Sequence, residues 1–275
     1  MHDANPDVDP LPFVAPCHVV KLSAPLQWLK LGIADARQAP VASLGYGIIM
    51  ATLIMAVVAM AWNFGSAWIM FSMLCGFVFL APLTCIGTYA ISAQLERNMP
   101  VSFKATLKAC FKPYISNQLV FTLVLLIIFL VWARASSMIS IFLPNTGDYA
   151  LTEMAGYFAV LLVTALVFLS ITFSASVFSL PMMMHRDVDA ITAVLTSVNA
   201  VLRNKRVMFF WGLLITLGMI VGILSAGLGL IIFLPVVGHA VWHGYLETID
   251  ASAFPRHRVG ITATARTAKQ LNRSE

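Results

Sequence analysis

Two histidines four residues apart, His239 and His243, stand in the segment Gly238-His-Ala-Val-Trp242-His-Gly-Tyr245. At helical spacing they share a face. A pair of imidazoles so placed can ligate a transition metal, and either ring can ligate haem iron. His185, which closes the run Met182-Met-Met-His185, offers a third candidate metal ligand at similar depth. The competing reading makes all three helix-end histidines, with Trp242 and Tyr245 as an interfacial aromatic belt. A helix C-terminus favours an imidazole in any case. The second reading is preferred, so no cofactor is expected, and haem or a transition metal is kept as the alternative. The pair also lacks the intervening glutamate of a zinc hydrolase helix.

Other polar groups point to less. The three methionines before His185 project about 100° apart on a helix, so they cannot converge on one ion and read as packing filler. Ser170, Thr172, Ser174 and Ser176 form a small hydroxyl patch. Such hydroxyls commonly bond back to their own helix or to a neighbour; a substrate groove is the alternative. Cys17, Cys75, Cys85 and Cys110 have no metal-type spacing and read as reduced thiols. No nucleophile–base pair, phosphate loop or dinucleotide fingerprint is present.

The elements that must position these groups are membrane helices. Of 275 residues 60% are hydrophobic and 11% charged, against about a quarter charged in soluble domains. Six apolar runs, at about 41–62, 67–91, 115–133, 154–183, 207–224 and 228–246, approach or exceed the roughly 18 residues that cross a bilayer. They fall into three hairpins, each preceded by a helix-patterned polar stretch. The expected fold is all-α: a polytopic bundle of six transmembrane helices, every hairpin led by a cytoplasmic amphipathic helix. Prolines recur in the returning helices as Pro82, Pro181 and Pro235. Gly218, Gly222 and Ala226 make a small-residue ridge suited to close packing. No acidic residue falls in the middle of a span, which argues against a pump or coupled carrier.

All basic residues except Arg134 lie before span one, between spans two and three or four and five, or after span six. The positive-inside bias makes that side, with both termini, cytoplasmic, and the inner membrane the expected location. The net charge of +5 is therefore a matter of topology and not a nucleic-acid footprint. Leu26, Leu29 and Ile33 make the apolar stripe of the first amphipathic helix. Phe103, Leu107, Phe111 and Tyr114 make that of the second, with Lys104, Lys108 and Lys112 as its cationic row. Val188, Ile191, Leu195, Val198 and Leu202 make that of the third, opposite Thr192, Thr196, Asn199 and Arg203. Asp187 and Asp189 stand where a cap and first turn fall. Lys104, Lys108, Lys112, Arg203, Lys205 and Arg206 are the expected contacts with anionic headgroups. Arg134 is expected to snorkel outward or to pair with Asp148 or Glu153. Residues 1–22 and 251–275 read as polar cytoplasmic tails, disordered or loosely surface-bound, around a membrane domain at 23–250.

Three segments carry a family resemblance: Leu180-Pro-Met-Met-Met-His-Arg-Asp-Val-Asp-Ala190, Leu234-Pro-Val-Val-Gly-His-Ala-Val-Trp-His-Gly-Tyr245, and the Trp28…Gly32…Asp35…Pro40 lead into span one. With these, residues 20–250 resemble the uncharacterised bacterial integral membrane family known as domain of unknown function 2189. The resemblance implies a multi-pass fold and a membrane compartment. It gives slight encouragement to a respiratory link, since some members carry a cytochrome oxidase subunit label. The leading expectation is a non-enzymatic membrane scaffold or accessory protein that meets lipids and a membrane complex. The alternatives are a haem- or metal-binding accessory factor of a respiratory complex, and a small-solute or lipid transporter.

Overall fold

The least apolar of the candidate spans is the most buried. The helix Leu228–Thr248 has a mean hydropathy of 1.5, against 2.2 to 2.4 for the others, yet 56% of its spanning window is buried. Its glycines and histidines are what lower the hydropathy, and they let other helices approach. The structure is a computed structural model that describes residues 12–64, 85–101, 106, 115–139 and 151–256.

Among those residues the chain is helical, with two isolated β-bridges. The helices are α1 (Ala24–Gln38), α2 (Pro40–Phe64), α3 (Ile86–Glu96), α4 (Ile115–Ile139), α5 (Leu151–Ser176), α6 (Ser179–His185), α7 (Ala190–Arg203), α8 (Lys205–Leu224) and α9 (Leu228–Thr248). Five stretches are long and apolar enough to cross a membrane: Pro40–Met60, Asn117–Ile139, Ala155–His185, Lys205–Leu224 and Leu228–Thr248. Most of the expected second span, at 67–91, lies outside the described residues. So do the second amphipathic stretch apart from Thr106, the external turn around 140–150, and the far tail beyond Arg256.

α9 is flanked along its length by the chain's first two helices. Trp28 of α1 lies over Gly244 and donates its indole N–H to Glu247 at 2.6 Å. One turn later, a methyl group added at Gly32 would lie 2.5 Å from the Val236 carbonyl. α1 therefore runs antiparallel to the C-terminal half of α9 at near-backbone contact. After the break at Ala39-Pro40, α2 takes over along the N-terminal half. Gly47 lies against the Ile231 carbonyl and the ring of Pro235. Proline at 235 cannot donate to the carbonyl at 231 and crowds it. A glycine on the neighbouring helix leaves room for that displaced group.

The expected fourth span is broken. α5 ends at Ser176 and α6 begins at Ser179. Pro181 is the cause, since its ring clashes with the carbonyl four residues earlier, at Val177. α7 compensates: Ser197 accepts from the Phe178 amide at 3.2 Å and donates to the Ser174 carbonyl at 2.7 Å. The hydroxyl patch upstream is satisfied within α5, with Ser170, Thr172 and Ser174 each bonded to the carbonyl four residues back.

Two of the expected apolar stripes face away from the protein. α7 is capped by Asp189, whose carboxylate accepts from the amides of Ile191 and Thr192 at 2.9 Å. It then buries Thr192, Ala193, Thr196, Ser197 and Ala200 against the protein and leaves Ile191, Leu195 and Leu202 exposed. The hydroxyls turn inward because the broken α5–α6 junction and the N-terminal segment offer them partners. In α1 the buried face is Trp28, Gly32 and Asp35, while Leu26 and Ile33 are exposed. A close-packing glycine and a hydrogen-bonded carboxylate outrank aliphatic side chains that lipid can solvate equally well.

The expected loose tails are also partly built in. Residues 12–22 form a strap beside α7 and the end of α9. The Ala15 amide bonds to the Thr196 hydroxyl, the Val20 amide to Asn204, and the His18 amide to the Thr248 carbonyl. Asn204 also donates to the His18 carbonyl at 2.9 Å. At the other end Ala251 and Phe254 are buried, and Arg256 pairs with Arg186 in a β-bridge. Backbone amides that find such partners need not remain solvated.

Candidate functional site

The close approach of α1, α2 and α3 to α9 encloses five polar side chains. Ser92 of α3 donates its hydroxyl to Asp35 Oδ2 at 2.6 Å and lies 2.7 Å from His239 Nδ1. His239 Nε2 lies 3.0 Å from the hydroxyl of Ser43 on α2. His243 Nε2 lies 3.0 Å from the same carboxylate oxygen of Asp35. Ser43, Ser92 and His239 are fully buried, and Asp35 is nearly so.

An ionised Asp35 fixes the direction of every bond. The single hydroxyl proton of Ser92 goes to the carboxylate, so Ser92 must accept from His239, whose proton is then on Nδ1. His239 Nε2 is left as an acceptor, and Ser43 donates to it. His243 donates to Asp35 through Nε2–H. Burial alone would raise the Asp35 carboxyl, but hydrogen bonds from His243 and Ser92, with the charge of His243, outweigh it. They hold the group below the ordinary aspartate value.

The chain of bonds runs unbroken from His243 to Ser43. Both ring nitrogens of His239 are occupied by hydroxyls, and four helices each contribute a member. The packing explains the proximity: Gly238 leaves space for the Thr88 hydroxyl, one turn from Ser92, so α3 sits directly on α9. A satisfied buried network of this kind fixes one arrangement of helices and penalises others.

The three histidines singled out as metal ligands separate into two groups. His239 and His243 meet at Asp35. His185 Nδ1 instead lies 2.9 Å from the Tyr245 hydroxyl, with its ring packed at 5.5 Å on Trp242 and 5.7 Å on Tyr245. Among the described residues no three His, Cys, Asp or Glu side chains gather as an ion would require. Met182 and Met183, fully buried, serve as packing.

The expected headgroup contacts divide as well. Arg203 gives one guanidinium N–H to the Cys17 carbonyl of the strap at 3.1 Å. Lys205 and Arg206 are exposed. Lys104, Lys108 and Lys112 lie outside the described residues, as does Asp148; nothing of the Glu153 side chain is described.

Asp35, Ser43 and Ser92 were not singled out as site residues in the sequence. A signal for one was present: Trp28, Gly32 and Asp35 recur at steps of four and three and therefore share a face of α1. The two serines carry no comparable local mark.

Residues 69–185 match the family model described as a predicted integral membrane protein (DUF2189). The resemblance read from the sequence is right over that stretch, which includes Pro181 and His185. No curated protein and no solved structure gives a significant match. The chain is an integral membrane protein with five stretches, among the described residues, long and apolar enough to cross a membrane.

Proposed function

We propose that this integral membrane protein is a non-enzymatic scaffold or accessory protein of the inner membrane, with both termini cytoplasmic. One observation carries the reading. Hydrogen bonds run unbroken from His243 through Asp35, Ser92 and His239 to Ser43, joining four helices, so the gathering serves as a clamp for them.

The clamp holds α1, α2, α3 and α9 as a rigid core. α4 and α5 have the opposite character, with only 17% of each spanning window buried. They pack on one another and on α7, and their outer faces are long and apolar. Val131 on α4 and Leu166 on α5 are each about half exposed. Helices in lipid associate through van der Waals packing, and this least buried pair of spans leaves the most surface for a membrane partner to pack on. The exposed stripe of α7, followed by Arg203, Lys205 and Arg206, suits the plane of the headgroups.

The test is a photoactivatable cross-linker placed at Val131, at Leu166 and, as control, at the exposed Leu217 of α8, in native membranes. The proposal expects protein adducts of discrete mass from Val131 or Leu166 and lipid adducts from Leu217. Lipid adducts alone at all three positions would overturn it.

A further inference from the structure

At the end of α9 the packed parts of both tails, α3 and α6 converge on a cleft of about 230 Å³. Its charged and polar lining includes Arg186, Arg256, His185, Tyr245 and Ser252, with the carboxylates of Glu96 and Asp250 also present. We propose that this cleft binds a phosphate-bearing anion, with Arg186 and Arg256 as its charge partners.

Three observations support this. First, the two arginines are partners in an antiparallel β-bridge, and the backbone is held there by the Asp187 amide bonding to the Pro255 carbonyl at 2.8 Å. Like charges set opposite one another across such a pair repel. Second, neither has an ion-pair partner among the described residues. The carboxylates nearby are partly engaged: Glu96 accepts from the Trp242 indole at 3.3 Å, and Asp250 accepts from the Ser252 amide at 3.0 Å. Third, the Arg186 side chain is anchored through one Nη, which donates to the Phe254 carbonyl at 2.9 Å, and faces the Tyr245 hydroxyl, while its buried Nε–H has no partner among the described residues. An arginine held in this way retains donors in the planar geometry that suits phosphate oxygens.

The volume sets the size of the ligand. The cleft falls below the roughly 300 Å³ at which pockets for larger organic ligands begin, which suits a phosphate with a short glycerol-like substituent. The site lies at the basic ends of the helices, which the proposed orientation puts at headgroup depth. The same chemistry can therefore come from an acidic phospholipid or from a free phosphomonoester.

The experiment uses the full chain in maltoside micelles, which carry no phosphate. Inorganic phosphate, glycerol 3-phosphate and short-chain phosphatidylglycerol are titrated separately, and thermal stability is followed. Arg256→Gln and Arg186→Gln are compared with Lys205→Gln, a basic residue away from the cleft. The proposal expects stabilisation by at least one probe, with affinity falling about tenfold in Arg256→Gln and unchanged in Lys205→Gln. Response to the free phosphates identifies a soluble ligand, and response to phosphatidylglycerol alone identifies a headgroup. Should Arg186→Gln fail to fold, the exposed Arg256 carries the test. No stabilisation by any probe at millimolar concentration, or equal affinity in Arg256→Gln and wild type, would overturn the proposal.

Discussion

His239 reaches Asp35 through one hydroxyl: Ser92 Oγ lies 2.7 Å from the imidazole Nδ1 and 2.6 Å from the carboxylate. The two residues belong to helices at opposite ends of the chain, α1 and α9, and the hydroxyl comes from a third. Ser92→Ala would leave a buried imidazole N–H without its hydroxyl acceptor and a carboxylate short of a donor. An orphaned buried polar group costs about 1–3 kcal/mol. The variant should lose about that much stability in a detergent unfolding titration, and an unchanged midpoint would show that the hydroxyl is dispensable.

Gly32 controls whether that network can assemble. A side chain there meets the backbone of α9 at Val236 and Ala240 and not a flexible side-chain end, so α1 must move as a unit. Gly32→Val should expose α1 to hydrogen exchange while leaving the distant α4–α5 pair protected. Uniform exchange throughout the chain would mean that α1 is not a separable element.

The pH dependence follows from Asp35. Its carboxyl is held below the ordinary value of 3.8, so the folded state binds fewer protons there than the unfolded state. Its stabilisation is present in full above the unfolded value, and is lost as pH falls through the lower, folded one. The stability difference between wild type and Asp35→Asn should therefore be constant near neutrality and shrink below about pH 4. Growth of the difference on acidification would reverse the assignment.

The strap can be tested through Cys17. Burial pushes its thiol up, with Arg203 and Asn199 acting in the other direction, so the thiolate is scarce at neutral pH. In a chain with Cys75, Cys85 and Cys110 changed to serine, maleimide should label Cys17 slowly. Asn204→Ala removes the side chain that holds the strap at Val20 and His18 and should speed labelling about tenfold or more. Fast labelling of the parent chain would place residues 12–22 free in solution.

The haem or metal alternative has its own readout. Both His239 nitrogens are already hydrogen-bonded, so the purified protein should show no haem absorption and no stoichiometric transition metal. A bound chromophore or metal lost in His239→Ala/His243→Ala would restore that alternative.

Much of the architecture was legible because lipid imposes long apolar runs, and the basic residues mark one end of them. The runs at 41–62, 115–133, 207–224 and 228–246 correspond closely to helices, and Asp189 caps α7 as its position suggests. The face each helix buries was less legible. Aliphatic periodicity signals burial in water, where apolar surface is driven inward. Next to a bilayer, Leu195 and Ile33 can remain outside, and the inward face goes to residues that pack closely or need partners, such as Gly32, Thr196 and Ser197. Ser43 and Ser92 were invisible for a related reason. A lone serine in an apolar helix has the same appearance whether it bonds to its own backbone or to a histidine 147 or 196 residues away in the chain.

The most direct test of the central claim is a double-mutant cycle on Asp35→Asn and His239→Gln, read as unfolding free energy in the same detergent. If the unbroken chain clamps the helices, each single change costs about 2 kcal/mol, and the double change costs less than the sum by at least about 1 kcal/mol. Strictly additive losses, or two variants as stable as wild type, would contradict the clamp and return the buried histidines to the search for a ligand.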